Sequence, residues 1–314
     1  MLGIPVYLIT GFLESGKTAF LQDVLTSPDF ADGTRSLLIV CEQGVEEYDE
    51  SELARLNVDI VYVENEDDLT REYLEQLQKK YRPLRIFVEY NGMWDPVHLE
   101  GENLPKRWEI VQVIALVDGS TFDMFLTNMR SMLSNIFLNA ELVIFNRCSL
   151  DMDLQKYRRA IKAVNPGAML SFEDENGEQL ELGKEQPPYD LNADVIVIED
   201  QDFGLWFLDA SDTKERYDGK KVSFRAKVMI PPRFASGCFV PGRNAMTCCA
   251  NDIRFIGYIC QYDGVSKLAN KQWVTLTATV KYENRREYGG EGPVLYAEKV
   301  ENAAPPAEDL VYFN

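Results

Sequence analysis

The chain of 314 residues contains one histidine, His98. A catalytic set built on imidazole is therefore excluded in practice, and a transition metal would have to rely on thiolates and carboxylates. Long apolar runs are also missing: no stretch reaches the roughly 18 residues that a membrane helix needs. The N-terminus shows no basic segment followed by a cleavable apolar stretch. These absences lead us to expect a cytoplasmic protein without membrane insertion. Positive charge is scarce, with 32 Lys and Arg against 51 Asp and Glu and a net charge of −19. The deficit is uneven. Residues 1–210 carry 17 basic and 39 acidic side chains, whereas residues 211–314 carry 15 and 12. The first part repels nucleic acid by charge, and the last third shows no Lys/Arg stripe and no basic–aromatic alternation, so no nucleic-acid partner is expected.

What is present is enough apolar material, 46% of the residues, for ordinary cores. The first 170 residues alternate short apolar runs with helical patterns, which implies a mostly parallel sheet with crossover helices. Strands read as Val6–Thr10, Ser36–Val40, Asp59–Val63, Arg85–Val88, Ile110–Val117 and Leu142–Phe145. Helices read as Lys17–Thr26, Asp68–Lys80, Ser120–Leu138 and Leu154–Val164. The polar, acidic stretch 173–194 reads as a linker or edge hairpin. From Val195 onward helices become rare and alternation predicts strands over Lys221–Met229, Phe255–Tyr262, Trp273–Tyr282 and Pro293–Val300. The expected organisation is an α/β unit over 1–172, the linker, and a small all-β barrel over 195–314.

Gly11-Phe12-Leu13-Glu14-Ser15-Gly16-Lys17-Thr18 satisfies GxxxxGK[ST] at every fixed position, directly after a strand and before a helix. The glycines let the backbone curl so that N–H groups face phosphates, Lys17 offers charge to the β and γ oxygens, and the Thr18 hydroxyl is suited to Mg²⁺. The first unit is thus expected to be a P-loop NTPase fold. Its phosphate-binding residues are Gly11, Glu14, Ser15, Gly16, Lys17, Thr18 and Ala19. Glu89, ending the strand from Arg85, is the expected second carboxylate near Mg²⁺, holding the ion directly or through water and orienting the attacking water. Lys17 and Glu89 are the candidate catalytic residues. Glu42 follows another strand in Cys41-Glu42-Gln43-Gly44, a candidate switch loop, and joins Thr18 and Glu89 as a Mg²⁺ candidate. Glu46, Glu47, Asp49, Glu50 and Glu52 read as an acidic loop or docking face.

The phosphate loop together with Glu89-x-x-Gly92 resembles the CobW-like metallochaperone GTPases, relatives of the hydrogenase and urease nickel-insertion GTPases. Glu42 and Gly44 match an Asn-Glu-x-Gly switch element, with Cys41 in place of the Asn. Asp118 matches an Asp after a strand, Asn146 and Arg147 fall at the guanine-reading Asn-Lys-x-Asp motif, and Asn165-Pro166 matches a later Asn-Pro. The resemblance covers about 4–172. It implies binding of GTP or another NTP with Mg²⁺, base contacts from Asn146 and Arg147, and a switch that moves a metal or matures a client metalloprotein. Ser149 stands where the family has its guanine-binding Asp, which leaves GTP against ATP open. The family's Cys-x-Cys-Cys element would fall near 63–68, where the chain reads Val63-Glu64-Asn65-Glu66-Asp67-Asp68 without a thiol.

The thiols lie elsewhere. Cys238, Cys248, Cys249 and Cys260 fall within 23 residues. Four thiolates would suit tetrahedral Zn²⁺, although the spacing is not a standard zinc signature; a redox pair or plain core cysteines are the other readings. Phe239-Val240-Pro241-Gly242-Arg243, Cys248-Cys249-Ala250 with Asp252, Trp273-Val274 and Val311-Tyr312-Phe313 resemble the C-terminal domain of the YcgQ-like permease-associated family. That resemblance covers about 195–314, and implies an oligonucleotide-binding-type barrel and a transporter or permease subunit as a partner. Two functions compete: an NTPase, GTP-hydrolysing, coupled to zinc-type metal trafficking or metalloprotein maturation, and a nucleotide-gated adaptor with little turnover that regulates a transporter or partner protein. A kinase or ligase is weaker, because no second substrate pocket is legible.

Overall fold

The computed structural model describes residues 3–99, 101–183, 185–232, 234, 237–247 and 252–313. The chain divides into two compact units, Met1–Leu182 and Gly183–Asn314.

In the first unit seven strands form one parallel sheet: β1 (Ile4–Thr10), β2 (Ser36–Val40), β3 (Val58–Tyr62), β4 (Arg85–Glu89), β5 (Trp108–Asp118), β6 (Leu142–Asn146) and β7 (Met169–Phe172), in the order β3-β2-β4-β1-β5-β6-β7. Strands β2 and β4 are buried at every residue, as expected where helices cover both faces of a parallel sheet. Helices α1 (Lys17–Thr26), α2 (Glu50–Arg55), α3 (Arg71–Tyr81), α4 (Gly119–Asn128), α5 (Arg130–Phe137) and α6 (Leu154–Val164) complete the unit. The strand order reverses at β1, which lies between β4 and β5, so the loop after β1 sits at the topological switch point where ligands bind in open α/β sheets. The registers Ile9↔Glu89 and Val40↔Glu89 bring the ends of β1, β2 and β4 to one level.

Two sequence expectations are corrected here. Ser120–Leu138 is two helices, broken at Met129 (φ −131°, ψ 29°), which caps one and opens the next. The acidic stretch is not all loop: Asp49 accepts from the Glu52 N–H and caps α2, so Glu50 and Glu52 lie in a first turn, where the helix dipole favours negative charge. Leu180 returns its N–H to Phe172 and Glu173 bridges Gln179, forming a short hairpin at the start of the stretch read as a linker or edge hairpin.

The second unit contains β8 (Ile196–Ile198), α7 (Phe203–Asp212), α8 (Lys214–Tyr217), β9 (Lys221–Met229), β10 (Cys238–Met246), β11 (Ile253–Gly257), β12 (Ile259–Gln261), β13 (Trp273–Arg285), β14 (Gly290–Asn302) and β15 (Leu310–Val311). Pairings β9–β10, β10–β12, β12–β14, β14–β13 and β13–β9 close a five-stranded barrel, with β12–β14 the parallel pair. Alternation fills it: Val222, Phe224, Ala226 and Val228 of β9 point inward with Val274, Leu276, Ala278 and Val280 of β13. The run expected over Phe255–Tyr262 splits at Tyr258. Helix α7 and strand β10 lack a periodic signal. The first is apolar almost all round, burying Phe203, Trp206 and Leu208, and the second runs through Pro241 and Gly242. No helix among the described residues is long and apolar enough to cross a membrane.

Candidate functional site

The phosphate loop emerges from β1 with Glu14 at φ 62° and Gly16 at φ 90°, a left-handed course that turns backbone N–H groups toward one concavity. Gly11 has φ 144°, and a Cβ there would lie 2.3 Å from the Leu116 carbonyl oxygen. Gly92 is needed for a different reason: its Cβ would meet the Gly11 oxygen at 2.4 Å, so the loop after β4 packs directly beneath the phosphate loop. Lys17 is 3% exposed. Its ammonium donates to the Gly11 and Phe12 carbonyls at 3.0 and 2.8 Å and to Glu42 Oε2 at 2.5 Å. The Thr18 hydroxyl donates to Glu89 Oε1 at 3.0 Å, and the Tyr48 hydroxyl donates to Glu89 Oε2. Burial pushes the Glu89 carboxyl above the usual carboxylate range, opposed by the bonds from Tyr48 and Thr18 and by the Lys17 charge. Burial beside Glu89 likewise raises the Tyr48 phenol and keeps it a donor.

The loop carries a polar group with nothing to bond: Ser15 Oγ is buried without a hydrogen-bond partner, inside the turn closed by Ser15 N–H to the Phe12 carbonyl. A cavity of about 360 Å³ opens over Gly16, Lys17 and Thr18, with Glu42, Glu89 and Arg147 on its walls. Ala19 lies in the first turn of α1, exposed and outside that lining, so its contribution is the free N–H of a helix start. Asn146 Nδ2 donates to the Ser15 carbonyl at 2.8 Å, and its Oδ1 is buried and unbonded. Arg147, at φ 51°, reaches the Glu14 carbonyl at 3.0 Å and Asp118 Oδ2 at 2.7 Å. Asp118 also caps α4 through Ser120 N–H. The expected loop, Glu89, Glu42, Asn146 and Arg147 therefore meet in one site. Glu42, expected beside Mg²⁺, is bonded to the lysine here. Ser149 bonds Asp151, whose carboxyl that bond lowers.

The acidic segment near 63–68 is tied down structurally. Glu66 accepts the Asp95 N–H at 2.5 Å and pairs with His98 at 3.3 Å, and Asn65 bonds Asp68. Of the four barrel cysteines expected together, Cys238 and Cys260 are described. Cys260 pairs with Phe239 and Cys238 with Gln261, so the pleat turns Cys260 into the barrel interior and Cys238 to the opposite face. Burial pushes the Cys260 thiol far up, as it does for Cys41, while Cys148 is pushed up to about 11. Cys248 and Cys249 lie outside the described residues. Among the described residues no group of three or more His, Cys, Asp or Glu is placed to hold a metal. Sequence reasoning missed Tyr48: a tyrosine in an acidic stretch carries no local signal of its bond to Glu89, 41 residues on.

A phosphate loop at the switch point of a parallel sheet, with a hydroxyl and a carboxylate beside its lysine, defines the class of P-loop nucleotide-binding proteins. Within that class, the family described as "CobW/HypB/UreG, nucleotide-binding domain" matches residues 5–172, and the chain belongs to it. The family described as "DUF1980 C-terminal domain" matches residues 174–313. Solved structures similar to this chain include the hydrogenase maturation factor HypB from Archaeoglobus fulgidus, with 15% identity, 56% of this chain and 84% of that one covered, and a TM-score of 0.42. A Zn(II)-bound triple mutant of YjiA GTPase has 22% identity over 73% and 74% of the two chains and a TM-score of 0.41. HypB from Helicobacter pylori in complex with nickel has 14% identity over 55% and 80%, with a TM-score of 0.39. No curated protein matches the chain.

Proposed function

We propose that the protein is an NTP hydrolase of the GTPase type whose nucleotide cycle drives metal trafficking or metalloprotein maturation. The observation that carries this reading is the set Lys17, Thr18 and Glu89 around a cavity floored by a phosphate loop with an unbonded Ser15 hydroxyl. The residues fit Mg²⁺. Thr18 Oγ and Glu89 Oε1, 3.0 Å apart, are hard oxygen donors at the mouth of the anion cradle, and Glu42 is the further carboxylate within reach of the lysine. When bound there, Mg²⁺ neutralises charge on the β and γ phosphate oxygens.

The chain's own residues do the rest. Entry of a triphosphate exchanges the Glu42 carboxylate on Lys17 for phosphate oxygen, anion for anion, and frees the segment that carries Glu42. The loop N–H groups and Ser15 Oγ bind the phosphates, and the start of α1 adds its favourable dipole. Asn146 secures the loop through Ser15, and its remaining amide N–H is suited to a purine ring nitrogen. Glu89 orients water for in-line attack on the γ phosphorus; the bond to the bridging oxygen breaks, giving diphosphate and inorganic phosphate. Metal cargo and its client, a metalloprotein or a permease subunit, belong to the same proposal, which rests on the kinship of the first unit. Lys17→Ala tests it: nucleotide affinity should fall at least about 100-fold by calorimetry and turnover should vanish, since one charge-assisted phosphate contact and its positioning role are lost. Unchanged hydrolysis would refute the assignment.

A second reading, a nucleotide-gated adaptor with little turnover, is favoured by one observation: Asn146-Arg147-Cys148-Ser149 has no acid at its fourth position, and Arg147 is engaged by Asp118. Retained affinity with slow hydrolysis that no partner accelerates would select it. Competition between GTP and ATP would read the base preference directly.

A further inference from the structure

Glu89 has its backbone pinned from two sides. Tyr90 N–H donates to the Ile9 carbonyl at 2.7 Å, and Cys41 N–H donates to the Glu89 carbonyl at 2.8 Å, so the strand ends around it are fixed. What remains free is the side chain, three rotatable bonds carrying a carboxylate that is 2% exposed. Its two oxygens are divided between two donors: Oε1 takes the Thr18 hydroxyl, and Oε2 takes the Tyr48 hydroxyl. The two donors differ in kind. Thr18 belongs to the nucleotide's own loop, and its hydroxyl oxygen has lone pairs for a cation while its hydrogen points to Glu89. Tyr48 lies outside that loop, and its hydroxyl also lies within hydrogen-bond reach of the Thr18 side chain. Its ring is 8% exposed and packs in the apolar cluster of Ile9, Val40, Leu53 and Val58, and the next residue, Asp49, caps α2. A phenol held by its ring and by a capped helix start presents its hydroxyl with little freedom, which is what a supporting partner for a ligating carboxylate needs.

We propose that Tyr48 is a positioning residue for Glu89: its hydroxyl holds Oε2 so that Oε1 keeps its aim at the Mg²⁺ and water positions. The inference rests on the nucleotide reading above and deepens it. It also gives the stretch between β2 and α2 two separate couplings to the site. Glu42 engages Lys17 and must leave when phosphate enters, whereas Tyr48 engages Glu89 and stays.

The test is Tyr48→Phe, which keeps the ring and removes the hydroxyl. Its unfolding midpoint and its affinity for nucleoside diphosphate without Mg²⁺ serve as the fold controls. Loss of an outer partner of a metal ligand costs about 10- to 100-fold in metal affinity or activity. With a fluorescent non-hydrolysable triphosphate saturating, the Mg²⁺ titration midpoint should therefore rise about 10-fold. In turnover, kcat should fall by a similar factor, with KM for the triphosphate within about two-fold. In a Glu89→Gln background the same substitution should lose most of its effect, because that carboxylate is the main partner of the hydroxyl. A Mg²⁺ midpoint and kcat both within two-fold of wild type would overturn the proposal, and so would an undiminished loss in the Glu89→Gln background. A wild-type protein that binds triphosphate without hydrolysing it refutes the hydrolase reading and leaves the Mg²⁺ titration to decide Tyr48. One that binds no nucleotide overturns both.

Discussion

Both units bury charged and polar side chains, but they finish them differently. In the barrel unit Arg243 is 1% exposed and closes on Asp200 at 3.0 Å and the Glu308 carbonyl at 2.7 Å, with its guanidinium over the Trp273 ring. Asp209 accepts from Arg216, Tyr217 and Thr213. These sets join helix, strand and chain end within the unit, and they hold a fold together. In the nucleotide unit the corresponding groups, Lys17, Thr18, Glu42 and Glu89, come from a helix start, a loop and a strand end, and they border an open cavity. Their bonds to one another are exchangeable for bonds to an anion and a cation. A buried charge paired across structural elements signals architecture, and the same pairing at the mouth of a phosphate loop signals a site that a ligand will reorganise.

The sharpest way to break the contrast is in the barrel. Arg243→Met should destabilise the second unit by about 2 kcal/mol, since it removes the donor to the Glu308 carbonyl and reduces Asp200 to its contact with Arg225 at 3.7 Å, while nucleotide affinity stays within two-fold. Thermal unfolding alongside calorimetry checks both halves, and an equal loss of nucleotide binding would erase the distinction. Glu42→Gln works in the opposite sense, by removing the charge that occupies Lys17. Triphosphate affinity should rise about three- to ten-fold in a competition titration, whereas a fall would mean that Glu42 serves the bound state directly. The smallest effect is in pH. The folded-state pKa of Glu89 lies above its ordinary value of 4.5, so the folded protein binds that proton more tightly than the unfolded chain. The stability contributed by Glu89 is therefore greatest below 4.5 and is lost as pH rises through the folded-state pKa. In nucleotide-free, chelator-treated protein, the difference in melting temperature between wild type and Glu89→Gln should shift against wild type as pH rises through that window. A flat difference would show that the bonds from Tyr48 and Thr18 cancel burial, and a shift in favour of wild type would show that they outweigh it.

Legibility in the sequence follows the range of the forces involved. α1, β2, α6 and β9 lie where periodicity and flanking residues place them, because local pattern and burial agree there. α7 gives no amphipathic signal because it is covered nearly all round. β10 is masked by Pro241 and Gly242, which only the pairing of this strand with β9, β11 and β12 makes acceptable. Met129 breaks a helix for which the chain offers no Gly or Pro. At the site, the loop and Glu89 are legible because phosphate chemistry demands particular residue types at particular spacings. The position of Glu42 on Lys17, the placing of Cys238 and Cys260 on opposite faces, and the role of Tyr48 are not, because each depends on strand register.

The amino-acid sequence by itself determined the class of this protein: a phosphate loop after an apolar strand, a parallel sheet, an acidic first unit and a small barrel behind it. Glycines, a lysine and alternation act over a few residues, and their consequences can be read there. Tertiary structure alone decided which side chains share Glu89 and which faces Cys238 and Cys260 take. Those outcomes turn on the register of strands brought together from positions about 20 to 80 residues apart, a relation that no local pattern encodes.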